Sequence, residues 1–192
     1  TCSKGLTESN ISHGLVSNYI PNGVDNDRGQ KIANKDEKTS IRRRLQLPTE
    51  VQLFVWSGPF ITRKQPELAV KSFLKLSNRS DFCLCFLGDG PLLQPCKKIA
   101  NACKNILFRN RVDNVDDYLM AADVFLSSSL SEGMPNSVLE ALAWGLPVIL
   151  TDIPAHREII EISRNAGKLY PCGNERELTE TIRHFKPTRE AS

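Results

Sequence analysis

From Val51 onward the apolar residues fall into short unbroken runs, each followed by a stretch in which they recur at three- and four-residue intervals. The runs are Val51 to Trp56, Phe82 to Leu87, Ile106 to Phe108, Val124 to Leu126, Val148 to Leu150 and Lys168 to Tyr170. Their length and the Gly, Pro and Asp turns that bound several of them predict buried strands. Between them the spacing predicts helices. One opens at Pro66, with Leu68, Ala69, Val70, Phe73 and Leu74 on its apolar side. Another covers Leu92 to Cys103, with Pro95 tolerated only near the first turn. Helices are also expected around Val115 to Ala122, after Pro135, near Arg157 to Ile162, and from Glu175 to about Phe185. Six strand–helix units in succession predict an α/β fold, a doubly wound parallel sheet of Rossmann-like type.

Such a sheet binds ligands beyond the carboxyl ends of its strands. Three loops belong there: GPFITRK after the first strand, RNRV after the third and SSSLSEGMPNS after the fourth. The last feeds a helix start, whose amides and dipole suit an anion such as phosphate. Lys64, or Arg63 beside it, could reach the same anion. Two carboxylates raise a question there. Glu132 sits in the loop and Glu140 inside the following helix, and a buried carboxylate needs partners. Ser137 and Glu140 fit a capping box, in which serine caps the helix and glutamate returns a bond to its amide. Ligand binding through the second carboxylate oxygen is compatible with that. Glu132 has no comparable local explanation.

Composition narrows the function classes. At 192 residues and 40% hydrophobic content the chain is read as one domain. Twenty-five basic residues against 22 acidic give +3, too even for an electrostatic nucleic-acid surface. The run Arg42, Arg43, Arg44 is expected on a solvated helix face. No stretch approaches the roughly 20 apolar residues that span a bilayer, and the first residues show neither a basic start nor an apolar h-region. The six cysteines form no CxxC pair, and His13, His156 and His184 make no ligand pattern with them. Core thiols in a reducing, cytoplasmic setting are expected, with no metal site. The triplet Asp25-Asn26-Asp27 looks like a metal-holding DxD but sits in a polar turn, where solvated carboxylates are usual. Asp113, Asp116 and Asp117 suit a helix start.

The pattern of Glu132, seven residues, Glu140, then ALAWGLPVILTD and REII, resembles the donor-binding, C-terminal half of retaining GT-B glycosyltransferases, in particular glycosyltransferase family 4. YIPNGVD (19 to 25) is similar to the segment entering that domain, LGDGP (87 to 91) to its second strand and turn, and YLMAADVFLSSS (118 to 129) to the stretch before the Glu loop. The resemblance covers nearly the whole chain. It implies that residues 19–192 form the nucleotide-sugar-binding domain, without the usual last crossing helix, and that 1–18 are a linker or the end of an N-terminal half lying outside this sequence.

Roles follow only where residues match. The resemblance places Glu132, Gly133, Met134 and Pro135 against the donor sugar and diphosphate, with Asn136 and Ser137 beside them at the helix start, and Glu140 on the ribose. Lys64 corresponds to a diphosphate lysine near Gly58, and Arg111 and Val112 to a segment offering backbone groups to the base. Lys64 and Glu132 are the implied catalytic pair, meeting across the carboxyl edge of the sheet. The chain departs from the family at Pro59, where an arginine is common, and at Asn110 and Gln65, where glycine is. Arg63 is the nearest substitute for the missing arginine.

The implied reaction transfers a sugar from a UDP- or GDP-type donor to an acceptor hydroxyl with retention, without a metal or other cofactor. The acceptor, a glycan or lipid-linked sugar, would be held by the absent half or a partner subunit, which could bring the protein to a membrane periphery. Polysaccharide or glycolipid synthesis is the expected setting. A non-catalytic relative, a subunit of a split enzyme, or a GT-B enzyme of another reaction, such as an epimerase or phosphorylase, are the alternatives.

Overall fold

The strands are β1 (Gln52–Ser57), β2 (Phe82–Leu87), β3 (Ile106–Arg109), β4 (Val124–Ser127), β5 (Val148–Thr151) and β6 (Gly167–Tyr170). All neighbours pair in parallel, in the order β3-β2-β1-β4-β5-β6. The computed structural model describes residues 4–18, 23, 34–76, 78, 80–101, 103–162 and 165–187. YIPNGVD, apart from Gly23, and the Asp25-Asn26-Asp27 triplet lie outside the described residues.

The helices are α1 (Lys4–Ser12), α2 (Lys35–Arg44), α3 (Pro66–Leu74), α4 (Leu93–Ala100), α5 (Val115–Ala121), α6 (Asn136–Ala143), α7 (Pro154–Ile162) and α8 (Glu175–His184). Alternation along each strand divides the core in two. Leu53 and Val55 join Cys83, Cys85, Phe125, Val148 and Leu150 against α2, α5, α6 and α7. Phe54 and Trp56 join Leu84, Phe86, Leu126 and Ile149 against α3, α4 and α8. Both faces are covered, which is why the strands read as unbroken apolar runs.

The helix expected over Leu92 to Cys103 ends at Ala100, because Asn101 turns left-handed at φ 45° and closes it. The helix expected from Arg157 begins earlier, at Pro154, which suits a first turn. Within 1–18, α1 lies against α7, where the Lys4 amide donates to Glu158 Oε2 at 3.2 Å.

The arginine run needs correction. Arg42 is only 4% exposed. Its Nε donates to the carbonyl of Ala121 (2.9 Å), Nη1 to those of Thr49 (3.1 Å) and Val51 (2.9 Å), and Nη2 to Asp123 (2.6 Å). Asp123 also pairs with Lys38 and accepts the Leu53 amide at 2.7 Å. Burial alone would raise the Asp123 pKa; the Lys38 and Arg42 charges and the bonds from Lys38 and Leu53 outweigh it and hold the carboxyl below its ordinary value. A guanidinium fork can serve that many acceptors at once, so Arg42 fastens α2 to the amino edge of the sheet. Arg44 is exposed as expected and pairs with Asp117 at 3.0 Å.

Of the cysteines, Cys83, Cys85 and Cys96 are buried and free, and burial pushes each thiol up to about 12. They are inert core residues. Cys172 is exposed, and Cys2 lies outside the described residues.

Candidate donor-binding site

The strand order reverses direction between β1 and β4, so the loops leaving these two strands diverge and open a crevice at the carboxyl edge. After β1, Gly58 takes φ 155° and the chain makes a short 3-10 turn over Thr62–Lys64. Gln65 follows in the left-handed region at φ 46° and ψ 50°, then Pro66 starts α3. That geometry explains why glycine suits position 65, and Gln65 adopts it at a cost of about 1–2 kcal/mol for an L residue.

Across the crevice β4 runs into Ser128, Ser129 and the loop to α6. Two strands' loops are stitched here. Trp56 Nε1 donates to Ser128 Oγ at 3.0 Å, and that hydroxyl lies 2.8 Å from the Lys64 carbonyl and 3.0 Å from that of Gln65. The Leu130 amide donates to the Arg63 carbonyl at 2.8 Å.

These bonds set Lys64 and Glu132 face to face. Lys64 Nζ is 2.5 Å from Glu132 Oε1, and Arg63 Nη1 is 2.8 Å from Oε2 and 2.8 Å from the Ser131 carbonyl. The Glu132 side chain is 6% exposed, Lys64 13% and Arg63 46%. Burial alone would raise the Glu132 pKa. Hydrogen bonds from Lys64, Ser129 and Arg63, with the Lys64 charge, outweigh it and hold the carboxyl below its ordinary value. It is therefore ionised at neutral pH, an acceptor with lone pairs to spare.

Glu132, Lys64 and Arg63 line a cleft of about 400 Å³ together with Ser57, Gly58, Pro59, Met134, Pro135, Asn136, Ser137 and Glu140. Arg111 and Val112 line an adjoining cleft of about 480 Å³ with Leu87, Gly88, Asp89 and Val115. The two clefts share Ser57, Gly58 and Pro59. Gly133 sits in the loop between Glu132 and Met134, half-buried. The sequence-derived site is thus brought to one edge of the sheet. Pro59 adds no charge there, leaving Lys64 and Arg63 as the cations lining the first cleft.

The floor between the clefts depends on Gly88. A Cβ on it would lie 2.0 Å from the Gly58 carbonyl oxygen. Only glycine lets the β1 and β2 loops cross this closely.

The capping box expected from Ser137 and Glu140 does not form. Pro135 is the N-cap, α6 starts at Asn136, and among the described residues no side-chain cap bond forms. The Pro135 carbonyl instead receives the amides of Val138 (3.0 Å) and Leu139 (3.2 Å). Ser137 is therefore already inside the first turn, two positions past the cap. Glu140 is half-buried on the cleft wall, and helix capping does not explain a glutamate there. Asp116 and Asp117 occupy the first turn of α5, as expected, and Asp116 also accepts Trp144 Nε1 at 2.9 Å.

Sequence reasoning missed the buried polar groups behind the crevice. Ser128 and Ser129 were visible only as part of a polar loop, and Thr151 and His156 gave no signal. Among the described residues no group of three or more His, Cys, Asp or Glu could hold a metal ion, and no helix is long and apolar enough to cross a membrane.

The sequence model of the family described as glycosyl transferases group 1 matches residues 51–185, which contain all six strands and both clefts. The chain belongs to this family. It is 38% identical over 145 residues to TuaC of Bacillus subtilis, named for teichuronic acid biosynthesis, covering 73% of this chain and 34% of that protein. It is 31% identical over 150 residues to an Escherichia coli UDP-Gal:alpha-D-GlcNAc-diphosphoundecaprenol alpha-1,3-galactosyltransferase, covering 74% of this chain and 38% of that one. The chain thus spans little more than a third of these relatives. Among solved structures, WaaG, a glycosyltransferase involved in lipopolysaccharide biosynthesis, superimposes with a TM-score of 0.82 at 18% identity over 95% of this chain and 52% of WaaG. HepE of Anabaena, crystallised with UDP, gives 0.80 at 17% identity over 94% of this chain and 51% of HepE. At those identities the likeness is one of fold.

Proposed function

We propose that this chain is the donor-binding domain of a family 4 GT-B glycosyltransferase, which transfers a sugar from a nucleoside diphosphate to an acceptor hydroxyl with retention and without a metal. The observation that carries this reading is the contact of Lys64 with Glu132 at the β1/β4 switch point, beside the start of α6. A cation and a helix N-terminus face the place where a departing diphosphate would gather charge, and a fixed carboxylate stands next to them.

In this mechanism the Lys64 ammonium and the first amides of α6 stabilise the diphosphate leaving group as the glycosidic bond breaks. Such groups need no reorganisation during the reaction, which is the main source of electrostatic catalysis. Glu132 accepts sugar hydroxyls and fixes the ring. Glu140 accepts ribose hydroxyls, and the second cleft takes the base along the backbone of Arg111 and Val112. Met134, Pro135, Asn136 and Ser137 form the wall between sugar and diphosphate, with Arg63 as the second cation in place of the arginine missing at Pro59.

The names of related proteins support a nucleotide-sugar donor and a glycan product: the galactosyltransferase is named for UDP-Gal and a lipid-linked acceptor, and HepE has been crystallised with UDP-glucose. The acceptor, a glycan or lipid-linked sugar, would be bound by residues beyond this sequence, so this chain alone is expected to bind nucleoside diphosphate and transfer nothing. A thermal-shift panel of UDP, GDP and their sugars tests the reading. A true ligand at 100 times its dissociation constant stabilises by about 2.7 kcal/mol; no shift with any member would refute it.

A further inference from the structure

His156, in the first turn of α7, is completely buried. Its Nδ1 lies 2.8 Å from the Thr151 carbonyl oxygen and 3.1 Å from Thr151 Oγ1. A carbonyl can only accept, so Nδ1 carries the proton and Nε2 is a bare acceptor. Among the described residues Nε2 has no partner. An unsatisfied buried acceptor is costly, and a phenylalanine or leucine would fill the space without that cost. Packing alone therefore does not explain a histidine here; its Nδ1–H does.

That N–H leads to the candidate site. With the imidazole proton on one side of it, the Thr151 hydroxyl directs its own proton to the Ser129 carbonyl, 2.7 Å away. Ser129 stands three residues before Glu132 on the loop leaving β4, and its hydroxyl is among the groups that hold the Glu132 carboxyl below its ordinary value. Ser127 Oγ stands 3.3 Å from Ser129 Oγ, buried beside it. The chain of contacts runs from α7 through the end of β5 to Ser129, three residues before the carboxylate facing Lys64.

We infer that His156 and Thr151 are positioning residues for Glu132, holding the Ser129 segment so that the loop leaving β4 presents the carboxylate to Lys64. The inference rests on the reading of Glu132 as the sugar contact, for which the carboxylate must be held in one place. The charges acting on the imidazole from the facing loops are those of Glu132 and Lys64. Burial keeps the ring neutral at neutral pH, so its role there is one of hydrogen bonding.

The test is a carbon-13 NMR titration of the Glu132 carboxyl in this chain, as wild type, His156→Phe and His156→Asn, with thermal unfolding recorded alongside. In His156→Phe the Glu132 titration is expected to rise toward the ordinary glutamate value, as the Ser129 segment loosens and the carboxylate leaves the groups that hold it down. In His156→Asn, whose amide can still donate to the Thr151 carbonyl, it is expected to return to the wild-type position. An unchanged titration in His156→Phe overturns the inference. So does an Asn variant that behaves as Phe does, because the effect would then be the lost charge of a titrating ring. Should His156→Phe fail to fold, Thr151→Val removes the hydroxyl link with the same shape and the same expected rise. No nucleotide is needed for this readout. A shifted titration in a protein that binds no nucleotide would leave the positioning role standing and sink the donor-binding reading.

Discussion

Lys64 and Glu132 are 68 positions apart in sequence, and their side chains meet at 2.5 Å between the ends of β1 and β4. Neither is local to the other. Only a parallel sheet whose order reverses between these strands brings their following loops to one crevice, so the contact joins the fold to the proposed chemistry.

Glu140 gives the first prediction. Because α6 is capped by Pro135 and not by a Ser137–Glu140 box, Glu140→Gln should leave thermal stability nearly unchanged. Nucleotide affinity should fall by about 1.5–3 kcal/mol, the usual worth of hydrogen bonds to a charged group. Calorimetry and a melting curve on the same sample separate the two. Unfolding with affinity preserved would make the carboxylate structural.

Arg42 should matter more than any surface arginine. Arg42→Met leaves the Asp123 carboxylate with Lys38 and the Leu53 amide, and takes the Arg42 donor from the carbonyls of Ala121, Thr49 and Val51. Breaking a buried pair from one side costs about 3–5 kcal/mol. Arg42→Lys should recover little, since one ammonium cannot span those acceptors. Denaturant unfolding checks this, with Arg43→Met as the mild comparison.

Acid should destabilise the domain early. Burial lowers His156 from 6.5 to about 4 in the folded protein. Between those values the unfolded chain binds a proton that the folded chain refuses, so stability falls as pH drops from 6.5 to 4, by about 3 kcal/mol from this group. Asp123 and Glu132, both held below their ordinary values of 3.8 and 4.5, add further losses as pH falls below those values, where the unfolded chain takes up protons that the fold still refuses. His156→Asn should flatten the pH 4 to 6.5 segment of the stability curve. A wild-type curve already flat there would contradict the assignment.

Gln65→Gly should stabilise the protein. The residue is left-handed at φ 46°, and its buried Oε1 has no partner among the described residues. Relief of about 1–2 kcal/mol of backbone strain outweighs the roughly 0.5–1 kcal/mol entropic cost of glycine. A gain of about 1 kcal/mol in chemical denaturation is expected, with the α3 start unchanged.

Most of the architecture could be read from the sequence because both sheet faces are covered, and short apolar runs such as FCLCFL, closed by a turn, then signal a strand. The loops after β1, β3 and β4 followed from the α/β alternation, and the pairing of Glu132 with Lys64 from the resemblance. The misses have physical reasons. Arg42 looked solvated because a run of three arginines hides which one the helix turns inward. The capping box looked sound because the spacing fits, yet Pro135 fixed its own φ and started the helix sooner. Thr151 and His156 went unseen because a buried polar pair on β5 and α7 leaves no periodic trace; it becomes visible only when β5 is laid beside β4.

The measurement that bears most directly on the account is calorimetric titration of the wild-type chain and of Lys64→Met with UDP and GDP, with folding of both proteins verified by circular dichroism. A Lys64→Met,Glu132→Gln double variant, which leaves no uncompensated carboxylate, accompanies them. At least one nucleotide should bind the wild type, and affinity should fall at least about tenfold, about 1.4 kcal/mol, in both variants. A folded chain that binds neither nucleotide, or that binds one equally well without Lys64, would contradict the claim that this crevice holds a nucleoside diphosphate.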